Sequence, residues 1–458
     1  MAKIERQHPI EKDPKYRATC FEEVSEGFNE ERALIEASRC LNCKNAPCIT
    51  GCPVNVNIPA FIAKIKEKDY DGAIKVIRKT NNLPAVCGRV CPQESQCEGR
   101  CVRLKMEGAV SIGNLERFVA DMALKKGTVK SEAVPKIGKK AAIIGSGPAG
   151  LTCAADLAAA GVEVTVMEAF HKTGGVLVYG IPEFRLPKLL VQQEIDGLKN
   201  LGVNFELNCV VGKTIYLEEL LAEYDSVFIG TGAGLPVFLK IDGENLNGVY
   251  SANEYLTRIN LMNAYKPDSH TPVKKGKNVI VVGAGNVAMD SARTAKRMGA
   301  ETVKIVYRRS RDEMPARLEE IRHAEEEGIE LCLLTNPEKI NGDAGWVSSM
   351  NCKKMQLGEP DASGRRKPIE IKDSEFEVKC DMVIMAIGTS PNPLLKASCN
   401  KLLTTVKGTI ITDNETMKTS VDGVYAGGDA VTGAATVILA MGAGKKAAKA
   451  MLEYMKIV

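Results

Sequence analysis

Three things are missing from this 458-residue sequence, and each absence removes a class of protein. No apolar run approaches the roughly 18–20 residues that span a bilayer, which excludes a helical membrane protein. Charge of one sign is not in excess. The 61 Lys/Arg and 57 Asp/Glu are interleaved and leave a net charge of +4, so no basic stripe offers itself to nucleic acid. A secretory leader is missing too, because "MAKIERQHPIEKDPKYR" is too polar, and the cytoplasm is the expected compartment. What remains is an ordinary globular composition, 45% hydrophobic and 26% charged, with no low-complexity segment. The length suits about two to four domains.

Cysteine is present in quantity and unevenly placed. Eight of the fifteen lie between positions 40 and 101. The other seven (Cys20, Cys153, Cys209, Cys332, Cys352, Cys380, Cys399) stand singly and read as small buried apolar side chains. A reducing compartment disfavours structural disulfides, so the crowded eight read as ligands. "CLNCKNAPCITGCP", residues 40–53, has the pattern C-x₂-C-x₄-C-x₃-C-P, and "CGRVCPQESQCEGRC", residues 87–101, answers it. In two-cluster ferredoxins the cysteine before proline ligates the other cluster. Applied here, Cys40, Cys43 and Cys48 bind a first cluster while Cys52 crosses to a second. The return crossing sends Cys101 to the first and leaves Cys91 and Cys97 with Cys52. The second cluster's fourth ligand stays open. Cys87 is nominated by count, and spacing does not decide. Zinc would want two C-x-x-C knuckles, and this region has one.

Residues 1–135 read as helices and cysteine-bearing loops, an α-helical domain for two 4Fe-4S clusters. Asn29 is a helix cap ahead of Ala33, Leu34, Ala37 and Leu41 on one face. "IPAFIAKIKEKDYDGAIKVIRKTN" predicts two short amphipathic helices and "SIGNLERFVADMALKK" another. After the joint "EAVPKIGKK" the composition becomes α/β. Two Rossmann-like domains are expected. One binds FAD over 136–265 and 388–458; the other binds NADP over 266–387 and is inserted into it.

The first glycine turn has Gly145, Gly147 and Gly150 between an apolar strand and a small-residue helix, with Glu168 ending the next strand. That is a dinucleotide fingerprint: a tight turn, a close approach to pyrophosphate, close helix packing, and a carboxylate for ribose hydroxyls. The second copy has Gly283, Gly285 and Ala288, and its following strand ends in Arg308 and Arg309. A carboxylate there would repel a 2′-phosphate and arginines would pair with it, so NADP(H) is expected over NAD(H). Two such sites in one chain suggest one flavin and one nicotinamide. "GVYAGGDA", with Asp429, folds back to the first site, and "HKTGGVLVYGIPEFRLPK" lines it with Gly174 and Gly175. No cysteine pair follows residue 101, so a thiol relay beside the flavin is excluded and the N-terminal cysteines take the electrons.

These motifs together resemble the glutamate synthase small-subunit (β) family. It includes the large subunit of Nfn-type NADH-dependent ferredoxin:NADP oxidoreductase and the N-terminal half of dihydropyrimidine dehydrogenase. The resemblance spans the chain and rests on "CLNCKNAPCITGCPV", "GRVCPQESQCEGRCV", "SIGNLERFVAD", "GSGPAGL", "GGVLVYGIPEFRLPK", "VVGAGNVAMD", "VYRRSRDEMPAR" and "VYAGGDAVTGAATVILAMGAG". It implies FAD, NADP(H), two 4Fe-4S clusters and the crossed ligation. It also implies a non-cysteine ligand from the "IG-x-LE" segment, which is Glu116, with Cys87 as a nearby free thiol. The FAD set then adds Pro148, Ala149, Val176, Arg185, Gly232, Gly428, Ala435 and Thr436; the NADP set adds Asn286, Val287 and Gly388. The implied activity is an NADPH-dependent flavin iron–sulfur oxidoreductase, with no side-chain acid or base assigned. Its partner would be a glutamate synthase large subunit, a second flavoprotein, or ferredoxin. A non-catalytic electron-transfer adaptor is the alternative, and the arginine pair argues against it.

Overall fold

The computed structural model describes residues 4–127, 134–362 and 364–457; Glu132 and Ala133 of the interdomain joint lie outside the described residues. The longer helices of the N-terminal region are Glu30–Ser38, Ile58–Lys66, Tyr70–Arg78, Pro84–Val90 and Ile112–Lys125. Three of them start on a side-chain cap. Asn29 accepts from Arg32 N (2.9 Å), Asn57 from Ala60 N (3.3 Å) and Asp69 from Gly72 N (2.8 Å). Proline in the first turn starts Ile58–Lys66 and Pro84–Val90. Residues three and four apart turn one face inward: Phe61, Ile62 and Ile65; Ala73, Ile74 and Ile77; Leu115, Phe118 and Val119. The helix from Glu30 stops at Ser38. Leu41, expected on its apolar face, therefore lies outside it and is 51% exposed.

Two five-stranded parallel sheets follow. The first runs Val424–Ala426, Ser226–Ile229, Lys140–Ile144, Glu163–Met167, Asn204–Glu206. Its edge strand thus comes from the far end of the chain. The closing helix Val437–Tyr454 lies on the helix Pro148–Ala159. Small residues allow this contact: a methyl at Gly444 would meet the Ala149 carbonyl oxygen at 2.3 Å. The second sheet runs Glu330–Cys332, Thr302–Val306, Asn278–Val282, Met382–Met385, Val249–Ser251. Val249–Ser251 pairs with Met382–Met385, and the helix Ala252–Asn260 after it packs into the second sheet's core. That corrects the expected boundary at 265/266, which put these residues with the first sheet. The central strands of both sheets are buried on both faces, hence uninterrupted apolar runs such as Val279–Val282.

A three-stranded antiparallel sheet, Thr335–Asp343, Trp346–Pro360 and Arg366–Lys379, lies in the chain between the second sheet's strands Glu330–Cys332 and Met382–Met385. Ile340, Val347, Met350 and Cys352 pack its base against Ile280, Val282, Val383 and Met385. The helical region and the first sheet share one core. Ala85 N donates to Glu194 at 3.0 Å and Asn82 Nδ2 to Asp156 at 2.8 Å across that contact. The N-terminal segment straps the second sheet. Arg17, Arg293 and Arg297 converge on the buried Glu327, and Phe21 stacks on Tyr265 with ring centres 4.4 Å apart. Of the single cysteines, Cys153, Cys352, Cys380 and Cys399 are buried as expected, while Cys20, Cys209 and Cys332 are half-buried. No described helix is long and apolar enough to cross a membrane.

Candidate functional site

The eight crowded thiols fall into two groups. Cys40, Cys43, Cys48 and Cys101 line one cavity with Leu41, Ile58, Ile62 and Val102. All four are half-buried. Burial pushes the Cys48 thiol up to about 11, and the neighbouring Cys101 and Cys40 push the same way. Lys66 donates to the Cys40 carbonyl at 2.9 Å.

Cys52 leaves its own loop and joins the other group. Burial raises its thiol to about 11, with Glu116 and Cys91 adding to the shift. Cys97 is held well above its usual value, first by burial, then by Glu98, Glu116, Cys91 and Cys52. Glu116 comes from the helix Ile112–Lys125 and is pushed up to about 8 by burial, with Glu194 adding to it. Asn81 Nδ2 donates to Glu116 Oε1 at 2.6 Å. Cys87 reaches the same place: its thiol lies against Cys91 and Asn81, and 3.5 Å from Met441 Sδ on the closing helix. Both rivals for the fourth position are therefore brought together with Cys52, Cys91 and Cys97. Thiols and a carboxyl this strongly desolvated stay protonated unless a cation is set among them. A metal cluster is such a cation, and the donor set fits one.

The first glycine turn is shaped for a ligand's backbone approach. Gly145 has φ +99°, and a methyl there would meet Gly230 O at 2.6 Å. A methyl at Gly150 would lie 2.0 Å from Gly145 O, so only glycine lets the helix start this close to the strand. At Gly147 nothing lies within 4 Å, and Pro148 and Ala149 open the helix beside it. Glu168 is buried just past its strand and accepts from Ser146 N (2.9 Å) and Phe170 N (2.9 Å). Gly174 N donates to Ser146 Oγ at 2.9 Å, and a methyl at Gly175 would sit 2.9 Å from Gly147 Cα. The loop from Gly174 to Val176 thus folds onto the turn. Gly428, at φ +67°, packs against Ala149, and Gly232, at φ +70°, faces open space after its strand. Asp429 accepts from Ala435 N at 3.2 Å and is pushed up to about 6 by burial. Thr436 caps the closing helix. Arg185 is bound elsewhere: its guanidinium meets Asp290 (2.6 Å) and Glu320 (3.0 Å) from the second sheet's helices.

The second turn is more open. A methyl at Gly283 would meet Ala386 O at 2.3 Å, but Gly285 has only Pro315 nearby, at 3.8 Å. The helix Asn286–Arg297 begins there, with Val287 exposed and Ala288 buried. Asn286 Oδ1 accepts from Arg317 N at 3.0 Å. Gly388, at φ +114°, follows the neighbouring strand Met382–Met385 and faces open space. The two arginines behave differently. Arg308 is exposed, whereas Arg309 is 5% exposed, donating from Nε to Arg366 O (2.8 Å) and from Nη2 to Asp361 (2.5 Å). Asp361 and Arg366 come from the hairpin between the last two antiparallel strands. Sequence reasoning missed them, and missed Ser146 and Asn81, because nothing in local spacing marks partners 22 to 57 residues apart.

Comparison with known proteins gives a consistent picture. Residues 17–128 match the family model described as Dihydropyrimidine dehydrogenase domain II, 4Fe-4S cluster. Residues 139–444 match the model described as Pyridine nucleotide-disulphide oxidoreductase. The Glutamate synthase (NADPH) small chain of Azospirillum brasilense is 39% identical over 98% of this chain and 94% of its own length. The Putative oxidoreductase AegA of Escherichia coli is 38% identical over all of this chain and 72% of its own. Among solved structures, Mycobacterium tuberculosis FprA in complex with NADPH shares the fold, with a TM-score of 0.59 at 20% identity, over 70% of this chain and 85% of that one.

Proposed function

The chain belongs to the glutamate synthase small-chain family of flavin and iron–sulfur pyridine-nucleotide oxidoreductases, and on that premise we propose how its residues carry electrons. The helical region, through about residue 135, holds two 4Fe-4S clusters. The first sheet with its returning C-terminal segment holds FAD, and the second sheet holds NADP(H). When bound, these groups supply hydride exchange and one-electron steps. The protein's own part is placement. Gly145, Gly147 and Gly150 free backbone N–H groups at a helix N-terminus for the flavin's pyrophosphate, and Glu168 meets its ribose. The Gly283–Ala288 turn does the same for the nicotinamide nucleotide.

The observation that carries this reading is the exchange of cysteines between the loops. Cys52 lies with Cys91 and Cys97, and Cys101 with Cys40, Cys43 and Cys48. The second group abuts the closing helix of the first sheet through Cys87 and Met441. The first group is nearer the surface. Electrons then run between nicotinamide, flavin, the second cluster, the first cluster and a partner. Glu116 is the fourth ligand of the second cluster, and Cys87 supports it from behind.

The exit is the face around the first cluster. Leu41, Val102, Leu104 and Met106 are exposed there, Met106 to 64%. Lys44, Arg100 and Lys105 are exposed in residues 40–53 and 99–106, while Arg103 pairs with Glu107. An apolar patch with a basic rim, on a chain of near-neutral charge, suits a partner with an acidic electron-transfer face. That partner is a larger synthase-type subunit or a second flavoprotein, in a reducing cytoplasm. An adaptor that never exchanged hydride would have no use for the second glycine turn. Anaerobic addition of NADPH to the purified holoprotein tests the reading. The flavin's visible band bleaches, and iron and acid-labile sulfide match two 4Fe-4S clusters. An unbleached flavin or a metal-poor chain overturns it.

A further inference from the structure

Arg309 ends the strand where a 2′-phosphate reader is expected, yet its side chain is spent on the protein itself. It is buried, with Nε on the Arg366 carbonyl (2.8 Å) and Nη2 on Asp361 (2.5 Å). Both partners lie at the far end of the antiparallel hairpin, where Pro360 pairs with Arg366. Arg309 therefore pins the hairpin end onto the segment that follows Arg308. The pin delivers a second cation to that spot. Arg366 donates from Nη2 to Ser310 Oγ (3.3 Å) and from Nε to Glu313 Oε1 (2.5 Å), and its side chain is 45% exposed. Glu313 is a capping residue already taken by Ser310 and Arg366, so its charge is offset by the pairing. Asp312, at 3.9 Å from Arg366, is 88% exposed and screened by water. Arg308 stays exposed two residues away from Ser310.

We propose that the hairpin end reads the nucleotide's 2′-phosphate. Arg366 and Arg308 are the two cations that recognise it, and Arg309 is a positioning residue that holds Arg366 in place. This rests on the NADP(H) reading above and changes which arginines carry it. The recognised chemistry is a phosphomonoester on an adenosine 2′-oxygen, met by two guanidinium groups that arrive from different elements.

Calorimetric titration of the holoprotein with adenosine 2′,5′-bisphosphate and with AMP tests it without turnover. Wild type binds the bisphosphate more tightly. Arg366→Ala weakens that binding about tenfold, the loss of one charge-assisted contact, and leaves AMP unchanged. Asp361→Asn separates the two roles of Arg309 by sign. If Arg309 is a strut, releasing its anchor loosens the hairpin and weakens the bisphosphate. If Arg309 itself grips phosphate, freeing it leaves binding unchanged or tighter, and the proposal is overturned. Unchanged bisphosphate affinity in Arg366→Ala overturns it as well. Equal affinity of wild type for bisphosphate and AMP would instead remove the NADP(H) reading on which it stands.

Discussion

The two cysteine groups sit in opposite surroundings, four thiols in one and three thiols beside a carboxyl in the other. The first is four half-buried thiols, with the exposed cations Lys44, Arg100 and Lys105 close to them in sequence and the nearby acids Glu98 and Glu107 paired with Arg6 and Arg103. The second is enclosed: Cys91 and Cys97 are buried, Glu116 stands among them, and Asn81 orients the carboxyl. The difference teaches what each is for. On the reading proposed above, the enclosed group exchanges electrons with neighbours inside the protein, across the closing helix of the first sheet, and the exposed one with another molecule. A cluster's potential follows its net charge, hydrogen bonds and exposure, so the two would also differ in potential.

The largest effect that can break this comparison comes from the crossing cysteine. Cys52→Ser should remove the second cluster and spare the first, although Cys52 belongs to the first loop. Iron analysis and the electron paramagnetic resonance of the dithionite-reduced protein would show one cluster left. Loss of the first cluster instead would mean the ligands do not cross. Next in size is the fourth-ligand choice. Glu116→Gln should lower second-cluster occupancy or alter its spectrum, whereas Cys87→Ser should leave both near wild type. The reverse order would make Cys87 the ligand.

A smaller effect sharpens the exposed side. Lys44→Glu combined with Lys105→Glu should slow electron exchange with an acidic carrier protein about tenfold at low salt and flatten its ionic-strength dependence, with NADPH bleaching of the flavin unaltered. Identical kinetics in the two proteins would place the exit elsewhere. The smallest is a pH dependence away from either cluster. Burial pushes Lys188 down to about 7 from 10.5 while it donates to Leu186 O at 2.8 Å. The unfolded chain binds more protons between those two values, so this group makes stability rise with pH across that window. Urea unfolding should show that rise in wild type and a flatter profile in Lys188→Met. Parallel profiles would mean that Lys188 keeps its proton in the folded chain.

Much of this was legible because the constraints are local. Gly145 is demanded by its own positive φ and Gly150 by the Gly145 carbonyl within the same turn, and the motif spacing carries them. The caps at Asn29 and Asp69 are legible for the same reason. The cysteine grouping could be read from the proline after Cys52, a covalent neighbour. Long-range features were hidden. Val249–Ser251 is three residues long, too short for a periodic signal, and its place in the second sheet is set by Met382–Met385 far along the chain. Arg309 looked like a free basic side chain because its partners lie 52 and 57 residues away. The helix Pro84–Val90 is buried nearly all round, so it lacks the amphipathic stripe that marked its neighbours.

The central claim is a path through iron–sulfur groups between the nucleotide and an outside protein. The direct measurement is NADP⁺ reduction by a pre-reduced, low-potential acidic carrier protein, comparing the holoprotein with Cys91→Ala. Wild type should form NADPH, and the variant should not, while its flavin is still bleached by added NADPH. A variant that forms NADPH from the carrier as fast as wild type would show that electrons reach the flavin without the second cluster, and the path would be wrong.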